Sequence, residues 1–148
     1  MSISTTPSVA AHMLPHRAPA ELLAIARNGL AEAARTRSEG LRYATAHLAA
    51  LRAATAVLAT RAQPSPRSRN RVTSVWALLI LVAPELGEWA AYFAAGAAKR
   101  SAAEAGIPRV VTAREADDLL RATEQFVAVV EMTLGLSRRP APPDRVAA

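Results

Sequence analysis

Residues 112–136, TAREADDLLRATEQFVAVVEMTLGL, decide the fold. Thr112 and Glu115 stand at capping-box spacing, in which each side chain satisfies a backbone N–H near the other at a helix start. From Ala113 onward, Ala116, Leu119, Leu120, Thr123, Phe126, Val127, Val130 and Leu134 recur at spacings that line one face of an α-helix. Asp117, Glu124 and Glu131 recur every seven residues and interleave with Arg114 and Arg121, which reads as a solvated, salt-bridged face. A helix with so long an apolar stripe needs other helices to cover it.

The upstream sequence supplies them. Pro19 suits a first helical turn, and Leu22, Leu23, Ile25, Ala26, Leu30, Ala33 and Ala34 predict a helix over about 18–37. Ser38 and Gly40 interrupt it. Positions 41, 44, 48, 51, 55, 58 and 62 (Leu, Ala, Leu, Leu, Thr, Leu, Ala) then alternate threes and fours and predict a second helix whose core face is that row. Gln63–Asn70, QPSPRSRN, reads as a loop. Residues 72–82 are apolar nearly all round and predict a short central helix covered on most sides, and Pro84 opens a fourth helix running to Gly106. Glu85 and Glu88 fall in its first turn, where they suit the helix dipole better than acid–base work. The expected fold is all-α, an antiparallel four- to five-helix bundle over residues 18–136. Residues 1–17 and the proline- and arginine-containing segment 137–148 are expected to be disordered tails. Met13 is a second candidate start.

Composition agrees and excludes several functions. About a quarter of the chain is alanine and only 4% is aromatic, which suits close-packed helices and excludes an all-β fold. Without cysteine there is no disulfide scaffold, zinc finger or thiol catalysis. The most apolar run, Val75–Ala83, is less than half of the ~20 residues that cross a bilayer, and no signal-peptide pattern opens the chain; a cytoplasmic location is expected. The six glycines are never closer than nine residues, so no glycine-rich phosphate loop exists. His12, His16 and His47 form no metal-ligand cluster, and neither a metal nor another cofactor is expected.

Charge is unevenly placed. The chain carries +6, yet residues 35–71 alone hold eight arginines against Glu39, a net +7. Seventeen of the eighteen basic residues are arginine, whose planar fork matches phosphate oxygens. Arg61, Arg67, Arg69 and Arg71 are therefore the candidate contacts to RNA or another polyanion. The same asymmetry also fits simple solubility, or self-association of the basic segment with the acidic last helix.

Arg42 and His47 are the candidate catalytic pair. An imidazole titrating near neutrality can take a proton from a ribose hydroxyl while a guanidinium holds the phosphate, which would cleave RNA without metal. Five residues apart on an ideal helix, the two side chains point ~140° apart. The alternative reading stacks Tyr43 on His47, four residues on, at the edge of the bundle and leaves Arg42 exposed near the helix start.

The stretches RYATAHLAALRAATAVLA (42–59), VWALLILVAPELGEWAAYFAAGAAKRSAAEAGI (75–107) and VTAREADDLLRATEQFVAVVE (111–131) together resemble an actinobacterial subfamily of HEPN-domain proteins. The resemblance implies a small helical bundle, commonly paired as a homodimer. Many HEPN proteins resemble metal-independent endoribonucleases of toxin–antitoxin and defence systems, with an arginine followed four to six residues later by histidine. Arg42-x4-His47 fits that spacing, and carried over it makes Arg42 the phosphate-holding residue and His47 the proton-transfer residue. The family signature usually lies on a later helix with a polar residue after the arginine, whereas Tyr43 follows Arg42. Other HEPN members resemble non-catalytic RNA-binding or scaffold modules, so the second expectation is a dimerising protein-interaction module.

Overall fold

In the computed structural model, described over residues 8–10, 17–65 and 74–137, six α-helices account for nearly the whole domain. They are α1 (Pro19–Arg35), α2 (Glu39–Arg61), α3 (Val75–Val82), α4 (Gly87–Ala95), α5 (Ala97–Glu104) and α6 (Ala113–Thr133), with a 3-10 turn at Pro84–Leu86. The fold is all-α, as the sequence predicts. A three-residue strand β1 (Ser8–Ala10) pairs in parallel with β2 (Gln63–Ser65), Val9 opposite Pro64, and ties the start of the chain to the end of α2. The rest of the expected N-terminal tail before Arg17, the C-terminal tail beyond Ser137, and residues 66–73 of the expected loop lie outside the described residues.

Local chemistry sets the helix ends. Pro19 occupies the first turn of α1, Ser38 and Ser74 accept backbone N–H groups as N-caps of α2 and α3, and Thr112 and Glu115 close the predicted capping box on α6. Gly135, in the left-handed region at φ 70°, ends the last turn, where Leu136 N donates to Glu131 O at 2.7 Å.

The central element is α2, not the short apolar helix expected there. It packs against α1, α3, α5 and α6. Seven of its eleven buried residues are alanine, and Ala46, Ala49, Ala50, Ala53, Ala54 and Ala56 are sealed from solvent. A helix of small side chains is slender, so neighbours can crowd round it on short interaxial distances. Helix α3 covers only one side of it and leaves Ile80 44% and Leu81 69% exposed. The expected core row of α2 is also displaced. Ala44 and Leu58 are buried, Leu48, Leu51, Thr55 and Ala62 are half-buried, and Leu41 is exposed; Tyr43, His47, Ala50, Ala54 and Val57 face the core instead.

Where alanines run out, aromatic rings fill the space. Phe93 stacks against Trp76 and Trp89 and meets Phe126 at 5.1 Å between centroids. The predicted fourth helix is broken at Gly96 into α4 and α5. The Tyr43 hydroxyl lies where a Cβ at Gly96 would project, so the close approach of α2 to this corner requires glycine.

The alternating acids of α6 also divide differently from the sequence reading. Asp118 stays on the surface with Arg114 and Arg121, Asp117 reaches across to Arg42, and Glu131 is buried against Arg27 of α1, which donates Nε to Oε2 at 3.1 Å and a second bond from Nη2. Position 131 continues the apolar row of Val127, Val130 and Leu134, which is why it turns inward.

Phe126→Ala is expected to cost ~3–5 kcal/mol in chemical denaturation because it removes a fully buried ring packed on Trp76, Trp89 and Phe93. Gly96→Ala should cost ~1–3 kcal/mol by driving the Tyr43 ring from its place, read in the same assay.

Candidate functional site

The two candidate catalytic residues start five residues apart on α2 and end in different surroundings. Arg42 turns back toward the α1–α2 corner. Its Nη1 donates to the carbonyls of Thr36 at 2.9 Å and Arg37 at 3.1 Å, which closes the C-terminal end of α1. Its Nε lies 3.1 Å from Asp117 Oδ1 on α6, in ion-pair contact though without hydrogen-bond alignment. The guanidinium thus joins α1, α2 and α6, and it is half-buried rather than exposed.

His47 points inward. It is 1% exposed, and its Nε2 donates to the carbonyl of Phe93 at 2.8 Å, which tethers α4 to α2. Donation fixes the neutral tautomer with its lone pair on Nδ1, and that atom is buried without a partner. Tyr43 stacks on the ring with planes 16° apart, and Trp76 and Phe93 meet it edge-on. The Tyr43–His47 stack of the alternative reading is present, in the core rather than at the edge. Burial, and secondarily the positive charge of Arg100, push the imidazole pKa below its usual value; the Phe93 carbonyl and Glu104 act the other way. Arg42 and His47 therefore do not converge on a common open space: one is engaged by carbonyls and Asp117, the other is sealed among aromatic rings.

Of the candidate RNA contacts, Arg61 lies at the end of α2 and pairs with Glu85, whose carboxyl the guanidinium holds below the usual carboxylate range. Arg67, Arg69 and Arg71 lie outside the described residues. Arg35 and Arg37, at the opposite end of α2, are exposed and have no carboxylate partner among the described residues. The described arginines Arg35, Arg37 and Arg61 thus stand at the two ends of a helix ~34 Å long.

A cleft of about 660 Å³ lies between the start of α2 and the α5–α6 connection, lined in part by Leu41, Glu104, Ile107 and Arg109. His47 does not line it. Among the described residues no cluster of three histidine or acidic side chains could hold a metal, and no helix is long and apolar enough to cross a membrane.

A family model described as SAV_6107-like HEPN matches residues 31–131, from the last turns of α1 to Glu131 on α6. No match to the chain was found among curated proteins or among solved structures.

Acid should weaken the fold through His47. In the unfolded chain the imidazole takes a proton near pH ~6.5, whereas the folded site resists it, so the unfolded state binds more protons as pH falls and stability drops below that point. Denaturation midpoints measured between pH 7 and 5 should fall more for the wild type than for His47→Gln, which keeps a donor for the Phe93 carbonyl but does not titrate.

Proposed function

The chain belongs to the SAV_6107-like HEPN family, and from that premise we propose that it is a dimeric HEPN module that binds RNA through its arginine-rich stretch and does not cleave it at Arg42 and His47. The observation that carries the proposal is the concentration of eight arginines against one acid in residues 35–71. Phosphate oxygens are the chemistry such a stretch recognises, and binding of that kind is largely indifferent to base sequence. The contacts are Arg35 and Arg37 beside the start of α2, Arg61 at its end, and Arg67, Arg69 and Arg71, which follow it in the sequence. The absence of cleavage is supported by the surroundings of His47: a proton-transfer residue needs a ring nitrogen within reach of the substrate, and this imidazole is enclosed.

A second reading, a dimerising protein-interaction module without RNA, is favoured by apolar side chains left uncovered at Ile80, Leu81 and Tyr92. Ionic strength separates the two, because counterion release weakens phosphate binding steeply while apolar contact is insensitive to salt.

Fluorescence anisotropy with labelled single-stranded RNA in chelator should show binding whose log–log salt slope falls in magnitude by ~2 when Arg67, Arg69 and Arg71 become alanine, at ~0.7 per lost phosphate contact. The RNA should remain intact on a gel. An unchanged slope removes the loop from the interface, and cleavage that disappears in a folded His47→Gln variant overturns the non-cleaving assignment.

A further inference from the structure

Helices α1 and α2 leave an open groove of about 230 Å³ between them, whose lining includes Ile25, Gly29 and Glu32 from α1 and Leu48, Ala49 and Arg52 from α2. Its floor is made of the smallest residues. An added Cβ on Gly29 would stand 3.5 Å from the Ala49 Cβ, an ordinary contact, so alanine would fit there without strain. Alanine also suits a helix interior better than glycine, so Gly29 keeps the groove open at a cost in helix stability. Ile25 and Leu48, both half-buried, add apolar surface beside the floor. The volume lies below the ~300–1,000 Å³ of a pocket for a drug-sized ligand and suits a single ring system.

Two opposite charges line this groove without meeting. Glu32 and Arg52 are both exposed, and neither forms an ion pair with the other or with any described residue. Glu32 lies three residues beyond Gly29 and Arg52 three beyond Ala49, on helices that run antiparallel from the 36–38 connection. The two therefore stand ~4.5 Å along the axes to opposite sides of the floor. The space between them fits a flat group with donors toward the carboxylate and acceptors toward the guanidinium. Arg52 belongs to the basic stretch, between Arg37 and Arg61. A carboxylate beside such a stretch repels phosphate, but it is favourable where it meets the N–H groups of a base instead.

We infer that the groove receives one unpaired guanine base of the bound RNA, with Glu32 and Arg52 as the residues that select it. Guanine alone among the four RNA bases carries two neighbouring N–H donors, N1–H and N2–H, and two neighbouring acceptors, O6 and N7. The Glu32 carboxylate accepts from the first pair, and the Arg52 guanidinium donates to the second. Adenine and cytosine offer a carboxylate only an amino group, and uracil only an imino N–H, so each leaves a carboxylate oxygen unmatched. The inference rests on the RNA-binding reading and adds a base preference to it: arginines at the ends of α2 hold the backbone, and the groove selects the base between them.

Fluorescence anisotropy with the full chain and short labelled oligouridylates that carry G, A or C at one central position tests it. The G oligomer should bind about tenfold more tightly than the A or C oligomer. Inosine, which lacks the exocyclic amino group, and 7-deazaguanosine, which lacks N7, should each give up part of that margin. Glu32→Gln should bring the G oligomer down to the level of the A oligomer without weakening the latter. The position is exposed, so circular dichroism should show unchanged folding. A wild type that binds the G, A and C oligomers equally would overturn the guanine site and leave RNA binding intact. So would a Glu32→Gln variant that keeps the same margin, because Glu32 would then act only by repelling phosphate. Binding to none of the oligomers would overturn the RNA reading, and the guanine site with it.

Discussion

Close approach to a slender helix is the constraint on which the rest of the molecule depends. Because α2 presents alanine at seven of its eleven buried positions, α1, α3, α5 and α6 can all lie against it at short distance. Each alanine buries little surface by itself. The favourable energy comes instead from close packing along the helices and from the aromatic cluster of Trp76, Trp89, Phe93 and Phe126, which fills the volume that alanine leaves at the α3–α4 end. The same closeness puts the Tyr43 hydroxyl in the space a side chain at Gly96 would take, at the point where α4 ends and α5 begins.

Packing this tight draws polar groups into the interior, where each needs a partner. His47 ties α2 to the Phe93 carbonyl, Arg42 closes the end of α1 and reaches Asp117, and Glu131 receives both bonds of Arg27. These contacts link helices far apart in sequence, and they share a physical consequence: a guanidinium or imidazole committed to holding two helices has little left to offer a substrate. The chemistry available to an outside partner therefore lies on the surface. There Arg35 and Arg37, beside the start of α2, are exposed without a carboxylate partner among the described residues.

Much of the fold was legible in the sequence. The capping box at Thr112, the apolar row of α6, Pro19 at the head of α1 and the polar break after Arg61 all act through neighbours within one or two turns, so their signals survive without knowledge of the rest of the chain. The row at 41, 44, 48, 51, 55, 58 and 62 was legible as a helix but not as the wrong face of one. Alanine contributes equally to a buried or an exposed stripe, and the choice of the Tyr43, His47, Ala50 face depends on which side α6 and α4 approach. The short apolar run 75–82 looked central because hydrophobicity reports the tendency to be covered, whereas among the described residues it is covered mainly by α2, α4 and the Pro84–Leu86 turn, with Ile80 and Leu81 exposed.

The sequence by itself determined the all-α class, the helices and most of their ends, and the uneven charge, because these follow from local periodicity and composition. Only the tertiary structure decided that α2 is the hub, that Gly96 breaks a helix, that Glu131 leaves its surface neighbours for Arg27, and that Arg42 and His47 part company. Each of these depends on a partner thirty to more than a hundred residues away, or on the space such a partner leaves, and residue spacing along one segment carries no record of what another segment brings to it.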